Sequence, residues 1–209
     1  MYLPRRFAET DPAELDALLA RDAFVTLVTV DAEGLPFASH LPVLHRWEGE
    51  RLLLEGHWAR PNPQAGHRGP ALAIVHGPHA YVSPTWYTDP RAQVPTWNYA
   101  VAHLSGPLAP FEETEALQTL VAELSAKYEE AVGSDWRFPG SAPDTLSDLR
   151  GIIGFRLEVE RLQLKFKLNQ NHPEANVVGA AAALERLGGE SAEVAALMRE
   201  RLARRPARA

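Results

Sequence analysis

The chain contains no cysteine among its 209 residues. Disulfide bonds, thiolate catalysis and cysteine-ligated zinc or iron–sulfur sites are therefore excluded. No apolar run is long enough to span a bilayer, and the first residues lack the apolar core of a secretory signal. We therefore expect a cytoplasmic protein that is neither exported nor embedded in a membrane.

The chain has fewer basic than acidic residues, with 21 lysines and arginines against 27 aspartates and glutamates, and its formal net charge is -6. A surface of that charge repels nucleic acid as a whole. The last eleven residues are the exception, because they hold Arg199, Arg201, Arg204, Arg205 and Arg208. These arginines either contact DNA or an acidic partner, or simply suit the carboxyl end of a helix.

The sequence lacks both Gly-x-Gly-x-x-Gly and a P-loop, and strands do not alternate with helices, which argues against a doubly wound nucleotide-binding fold. β-branched and alternating segments predict strands at 24–30, 35–44, 51–55, 71–75, 80–83, 97–104 and 152–168. Apolar residues at helical spacing predict helices at 12–22, 112–130, 174–187 and 191–204. The fold class expected from this order is mainly β and antiparallel, a sheet that closes or nearly closes into a barrel, with added helices.

Three short segments, 57–64, 94–99 and 165–171, each combine aromatic rings, amide side chains and a cation. A flat, hydrogen-bonding, phosphorylated ligand would use all three types. Rings stack on such a ligand, amides read its edges, and arginine or lysine holds its phosphate. The sequence therefore predicts a ligand site built from these segments.

Six motifs occur in a fixed order along the first 180 residues. They are Met1-Tyr2-Leu3-Pro4-x-x-Phe7, Ser39-His40-Leu41-Pro42, His57-x-Ala59-Arg60-x-Asn62-Pro63, Tyr81-Val82-Ser83-Pro84-x-Trp86-Tyr87, Val94-Pro95-Thr96-Trp97-Asn98-Tyr99 and Lys165-x-x-x-Asn169-Gln170-Asn171. As a set they resemble the PaiB-like family, whose members are described as FMN-binding negative transcriptional regulators. That family is similar in fold to the pyridoxamine phosphate oxidase and flavin reductase split barrels. One departure is Lys165-Phe166-Lys167-Leu168, where the family more often has Lys-Leu-Ser-Gln-Asn.

The resemblance implies an FMN-binding split β-barrel domain over residues 1–170, with the helix 112–130 inserted, and a helical extension over 171–209. It also implies a homodimer with two FMN sites at the interface, each drawing residues from both subunits. Aromatic residues beside polar motifs support an interface independently, because aromatics are enriched at such surfaces.

The resemblance further implies which residues contact FMN. Arg60, assisted by His57 and Asn62, would hold the phosphate. The residues expected along the edge of the isoalloxazine ring are Ser39, His40 and Leu41. The residues expected to form a wall across the dimer and to close the site are Trp97, Asn98, Lys165, Lys167 and Gln170. A cation near the ring would favour the reduced, anionic flavin.

Plainer roles remain open for several of these residues. His57 would bond a neighbouring carbonyl, Arg60 would pair with Glu55, and Trp97 would be an ordinary core ring. The run 169–171 would merely cap the helix that follows it. The pair His76 and His79 is separated by glycine and proline, which suits a turn, so we expect no metal site.

Three functions are compatible with this site. The first is transcriptional control in which flavin occupancy acts through a partner, because no basic recognition helix stands out. The second is an FMN-dependent oxidoreductase that acts on a small molecule. The third is haem binding, since split barrels also host haem and the chain has eight histidines. Fold analogy alone does not choose among them, so whether the protein is an enzyme stays open.

Overall fold

A computed structural model describes residues 1–140 and 142–205, with the backbone alone described at positions 143, 144 and 146. The chain divides into two compact units. We call the one made of Met1–Arg21, His76–Ala102 and the residues from Gln163 onwards the terminal unit, and the one made of Asp22–Val75 and His103–Leu162 the central unit. The predicted domain boundary at residue 170 stays a prediction.

The strands and helices follow each other along the chain with short connections. The strands are β1 (Ala8–Glu9), β2 (Phe24–Val30), β3 (Pro36–Pro42), β4 (Leu44–Glu48), β5 (Arg51–Ala59), β6 (Pro70–Val82), β7 (Thr96–Phe111), β8 (Ile152–Val159) and β9 (Arg161–Lys167). The helices are α1 (Pro12–Arg21), α2 (Thr114–Ala131), α3 (Pro143–Leu149), α4 (Glu174–Leu187) and α5 (Gly189–Ala203). Short 3-10 turns cover Arg5–Phe7, Pro63–Gly66, Pro84–Trp86 and Pro90–Ala92.

In the central unit the strands pair in the order β3-β2-β6-β7-β8-β5-β4. The hairpin β2–β3 runs antiparallel from Phe24 opposite Pro42 to Val30 opposite Pro36, and β5 lies antiparallel to β8. The predicted fold class, mainly β and antiparallel with added helices, is therefore confirmed.

β5 contributes much of the core of the central unit and is buried without interruption from Leu52 to Gly56. Leu52, Leu54 and Trp58 are almost fully buried, and the Trp58 ring lies 4.6 Å from that of Phe155 on β8. Beside this core, β7 passes so close to β8 that a Cβ on Gly106 would lie 1.8 Å from a backbone oxygen of β8. Only glycine permits that approach.

In the terminal unit, β9 pairs with β1 and β7. Helices supply most of the remaining core, in which Leu15 and Leu19 of α1, Leu184 of α4 and Met198 of α5 are fully buried. Apolar residues at three- and four-residue spacing place these side chains on one face of each helix, as the sequence predicts.

Two predicted strand boundaries need correction. The segments 71–75 and 80–83 belong to the single strand β6, which continues through Gly77 and Pro78. Both of those residues are buried, and the alternation of buried and exposed positions shifts by one there. A Cβ on Gly77 would lie 2.8 Å from the Cβ of Ala100, so this glycine permits a close strand contact instead of marking a turn. The segment 35–44 divides at Val43 into β3 and β4.

The segment 152–168 is also two strands, β8 and β9, which are separated at Glu160. The helix α3 is not among the predicted helices. Among the described residues, no helix is both long enough and apolar enough to cross a membrane.

Candidate functional site

A buried polar cluster surrounds the 3-10 turn Pro63–Gly66 in the central unit. The Asn62 side chain caps this turn by accepting a hydrogen bond from the Gln64 amide at 3.0 Å, and it donates to Ser39 Oγ at 3.0 Å. Gln64 is completely buried and accepts a hydrogen bond from Trp58 Nε1 at 2.9 Å. The structure thus brings predicted site residues Ser39 and Asn62 together, but it engages both in holding the turn.

Gln64 is the centre of this cluster, and we had not predicted a role for it. Its Nε2 donates to the carbonyl oxygens of Leu27 at 2.9 Å and Phe37 at 3.2 Å, and to Thr29 Oγ1 at 3.0 Å. Those partners lie 27 to 37 residues away in sequence. In the sequence, this role of Gln64 is indicated by its position directly after Asn62-Pro63.

Three of the five N–H groups of the Arg60 guanidinium are engaged. Its Nε donates to the carbonyl of Arg150 at 2.6 Å, Nη2 donates to the carbonyl of Ile152 at 3.2 Å, and Nη1 forms an ion pair with Glu112 at 2.7 Å. The alternative that Arg60 pairs with Glu55 is wrong, because the acidic partner is Glu112. The Glu112 carboxylate therefore competes with any anion that Arg60 would hold.

His57, three residues earlier on β5, has a buried Nδ1 with no hydrogen-bond partner among the described residues. Burial lowers the pKa of the imidazole, so the neutral ring is favoured at neutral pH. A buried polar atom without a partner destabilises a protein by about 1–3 kcal/mol. Such an atom fits a ligand contact better than it fits the plainer role of bonding a neighbouring carbonyl.

His40 and Leu41 lie on β3, at one end of the strand order. The exposed His40 ring bonds Thr26 Oγ1 across the hairpin through Nδ1 at 3.1 Å, and Leu41 lies opposite Val25. Both predicted residues therefore belong to the same hairpin as Ser39.

Two lysines of β9 form the centre of a second cluster, in the terminal unit. Lys165 is only 8% exposed, donates to the Tyr2 carbonyl at 3.1 Å, and lies 5.7 Å and 5.2 Å from the ring centroids of Tyr2 and Tyr99. Lys167 donates to the carbonyl of Trp97 at 2.5 Å and to the hydroxyl of Thr96. Within the described part of the chain, neither ammonium group has a carboxylate partner.

Exposed aromatic rings lie beside these lysines. Trp97 is 53% exposed, and its ring centroid lies 6.0 Å from those of Tyr81 and His79. Trp97 is therefore not a core ring. Burial, followed by repulsion from Lys165, lowers the pKa of Lys167. We call Tyr2, Tyr81, Trp97, Tyr99, Lys165 and Lys167 the lysine–aromatic surface.

Asn98 and Gln170, two other predicted site residues, are engaged elsewhere. Asn98 is completely buried, its Nδ2 lies 3.2 Å from Met198 Sδ on α5, and its Oδ1 has no partner among the described residues. The Gln170 side chain folds back on its own loop, accepting from the Leu168 amide at 2.7 Å and donating to the Phe166 carbonyl. Neither amide points to the exposed rings.

A third group of residues adjoins Lys167 and was missed by sequence reasoning. Asn169 has a positive φ of 61° and donates to the Tyr87 hydroxyl at 3.0 Å. The His172 ring stacks on Tyr87 with centroids 4.8 Å apart. Lys167, Asn169, His172 and Thr96 line a cavity of about 170 Å³. The run 169–171 was the only signal, and its helix-capping interpretation does not account for these contacts.

Three of the five arginines at the end of the chain are neutralised within the terminal unit. Arg199 pairs with Glu185 at 2.6 Å, Arg201 with Glu9 at 2.6 Å and Glu14 at 2.8 Å, and Arg204 with Glu14 at 2.6 Å. Arg205 donates to two backbone carbonyls, and Arg208 lies outside the described residues. These contacts leave little free positive charge for DNA.

The described residues contain no group of three or more histidine, aspartate or glutamate side chains placed to hold a metal ion. In the His76 to His79 segment, His79 Nδ1 lies 3.3 Å from a carboxylate oxygen of Glu190.

Comparison with known proteins identifies the family of the chain. Residues 1–161 match the family described as "Putative FMN-binding domain". The chain belongs to this family. The protease synthase and sporulation protein PAI 2 of Bacillus subtilis (strain 168), which is PaiB, is 33% identical over 207 residues, or 97% of this chain and 98% of its own. The resemblance to PaiB and the prediction of FMN as cofactor are confirmed.

Solved structures agree on the fold of this FMN-binding protein. The FAD and heme binding protein of Mycobacterium smegmatis aligns with a TM-score of 0.59 at 17% identity, over 83% of this chain and 79% of its own. The flavocytochrome Anf3 of Azotobacter vinelandii aligns with a TM-score of 0.58 at 12% identity, over 85% and 78%. At these identities the alignments show a likeness in fold alone, and they agree with the mainly β, antiparallel fold described above.

The residues present fit FMN, which is a flat ring system joined to a phosphate. In the terminal unit, the lysine–aromatic surface offers exposed rings and two ammonium groups without carboxylate partners among the described residues. In the central unit, taken by itself, His57 offers a buried nitrogen without a hydrogen-bond partner among the described residues. When bound, FMN supplies one- and two-electron redox chemistry.

Proposed function

We propose that the protein is a cytoplasmic, homodimeric, FMN-binding regulator of transcription of the PaiB type. In this proposal the lysine–aromatic surface holds the flavin. Whether flavin occupies this surface controls the action of a partner that contacts DNA. The observation that carries the proposal is the presence of Lys165 and Lys167 without carboxylates beside exposed rings.

The two lysines are suited to the negative charge of FMN. A charged hydrogen bond contributes about 1.5–3 kcal/mol, which is about tenfold or more in affinity. Lys165 is fixed between two tyrosine rings and Lys167 by a hydroxyl and a carbonyl, so little side-chain entropy is lost on binding. A cation held beside the ring system would also stabilise the reduced, anionic flavin.

Other predicted contacts remain part of the proposal. Arg60 would hold the phosphate once Glu112 is displaced, with His57 and Asn62 beside it. Each FMN site of the proposed dimer would draw residues from both subunits. Ser39, His40 and Leu41 would line the ring edge, Trp97 and Asn98 would form the wall across the dimer, and Gln170 would close the site. The role of Asn98 would be indirect, since it is buried against α5.

Control through a partner is favoured over direct DNA binding by the charges. Arg199, Arg201 and Arg204 form ion pairs with carboxylates, and Arg205 donates to backbone carbonyls. The whole chain carries a net charge of -6. Non-specific DNA binding depends on free cations that neutralise phosphates.

The test of the cofactor site is FMN titration, followed by flavin fluorescence, of wild type, Lys167→Gln and Lys127→Gln. Lys127 is the chain's remaining lysine and lies on α2, so it serves as the matched control. We expect Lys167→Gln to raise the Kd about tenfold or more and Lys127→Gln to leave it unchanged. If wild type and Lys167→Gln bind FMN with equal affinity, FMN binds elsewhere on the protein. If the protein binds no FMN but gives a Soret band with haem, the cofactor is haem instead of flavin.

The test of regulation compares transcripts in cells that carry wild type, Lys167→Gln or no protein. We expect the transcripts raised by deletion to be raised by Lys167→Gln as well, while the isolated wild type does not retain DNA at physiological salt. Light scattering of the isolated protein should give twice the 23.0 kDa chain mass. Repression that survives Lys167→Gln would contradict control by flavin.

A second function, an FMN-dependent oxidoreductase, is favoured by one observation. The cavity of about 170 Å³ beside Lys167, with Asn169 and His172 in its wall, offers space and hydrogen bonds for a small molecule. The assay is NADPH oxidation with FMN and a quinone acceptor. Turnover that Lys167→Gln abolishes would support this function, and no turnover with quinone or nitro acceptors would contradict it.

A further inference from the structure

A second cavity in the terminal unit has a positively charged wall. It has a volume of about 400 Å³ and is lined by Arg6, Glu9, Phe166, Gln170, Arg201 and Arg205. Pockets for small molecules commonly have volumes of about 300–1,000 Å³. We call it the arginine cavity.

The arginine cavity lies on the other side of β9 from the lysine–aromatic surface. Side chains on a strand point alternately to opposite faces, so Phe166 points away from the face that carries Lys165 and Lys167. The cavity is therefore distinct from the lysine–aromatic surface, and the one residue of its wall that is also among the proposed flavin contacts is Gln170.

The charges in the wall are only partly balanced. Arg201 pairs with Glu9 and Glu14, at 2.6 Å and 2.8 Å. Arg6 and Arg205, in contrast, have no carboxylate within ion-pair distance among residues 1–140 and 142–205. Two guanidinium groups without counter-charges thus share one cavity in a protein that is acidic overall.

Two of the three arginines are held in place before any ligand arrives. The Arg201 side chain is 11% exposed and stacks on the Phe166 ring at 4.6 Å. Arg205 donates to the carbonyls of His172 at 3.1 Å and Asn169 at 3.2 Å. Preorganised guanidinium groups match carboxylate and phosphate oxygens by paired hydrogen bonds.

We propose that the arginine cavity binds a small organic dianion, a phosphate ester or a dicarboxylate, between Arg6, Arg201 and Arg205. The volume exceeds what one inorganic ion needs and admits an organic body beside the charged groups. The ligand would connect the 3-10 turn Arg5–Phe7 to the end of α5, and so would stabilise the terminal unit.

The test is calorimetric titration of the protein, with and without saturating FMN, with glucose 6-phosphate, succinate and inorganic phosphate, and with glucose as the neutral control. Arg6→Ala and Arg205→Ala remove the unpaired cations. Arg5→Ala is the matched control for the first, because Arg5 is an exposed neighbour outside the cavity wall, and Arg199→Ala is the control for the second.

We expect glucose 6-phosphate or succinate to bind with a millimolar or lower Kd that Arg6→Ala and Arg205→Ala each raise about tenfold. The two control variants should bind as wild type does. No saturable binding of either probe up to about 10 mM overturns the proposal. Equal binding by Arg6→Ala and Arg205→Ala, or binding of inorganic phosphate alone, also overturns it. None of these results depends on whether FMN occupies the lysine–aromatic surface.

Discussion

The buried Gln64 cluster allows a quantitative test of what holds the central unit together. Gln64→Met replaces the amide by an apolar side chain of similar length and removes four hydrogen bonds at once. The Trp58 indole N–H is then buried without an acceptor, at a cost of about 1–3 kcal/mol. The lost donations to two carbonyls and Thr29 add about 1 kcal/mol, because strand partners already satisfy part of those groups.

The expected loss in the free energy of unfolding is therefore about 3 kcal/mol, a large part of the 5–15 kcal/mol that is typical of a protein. Equilibrium unfolding in urea measures it, and Trp58 itself supplies the fluorescence signal. With an m value of about 3 kcal/mol/M, the midpoint should fall by about 1 M.

The control is Gln118→Met, on α2 of the same unit. The Gln118 side chain is only partly buried and makes one hydrogen bond, to the Gly140 carbonyl at 2.6 Å. We expect this variant to lose about 1 kcal/mol or less. If Gln64→Met lowers the free energy of unfolding by no more than Gln118→Met does, the Gln64 cluster does not stabilise the central unit and the reasoning is refuted.

Three further results are expected. Glu112→Gln frees Arg60 and should tighten FMN binding severalfold in a titration if Arg60 holds the phosphate, whereas unchanged affinity would remove Arg60 from the site. The lowered pKa of His57 means that the unfolded chain takes up its proton first as the pH falls. Stability should therefore be complete above about pH 6.5 and decline below it, and a urea midpoint that declines equally in His57→Gln would contradict this. Asn98→Leu should leave the unfolding free energy nearly unchanged, because the buried oxygen of Asn98 has no partner among the described residues. Asn176→Leu removes an acceptor of two hydrogen bonds and should lower the unfolding free energy by about 2 kcal/mol.

The elements that could be predicted are those with local signals. The hairpin β2–β3 follows from two β-branched segments around a turn, where Gly34 has a φ of 84°. The helix α2 follows from apolar residues at helical spacing. The continuity of β6 could not be predicted, because Gly77 and Pro78 have the composition of a turn and only the nearby Ala100 shows why glycine is needed.

For the candidate site, the sequence predicts a set of residues but not their geometry. Motif order selects the candidates, but whether a cation is free depends on partners that are distant in sequence. Arg60 is neutralised by Glu112, 52 residues away, and Arg201 by Glu9, 192 residues away. Periodicity and local spacing carry no information on such pairs.

The distribution of paired and unpaired cations leads to a consistent account of the proposed function. The terminal unit neutralises its Arg201 and Arg204 with Glu9 and Glu14, yet among the described residues it offers no carboxylate partner to Lys165 or Lys167. Desolvation of a cation is unfavourable unless a counter-charge arrives. A chain that is acidic overall and still buries unpaired ammonium groups is therefore suited to small anions and not to DNA, which is why the proposed regulation runs through flavin occupancy and a partner.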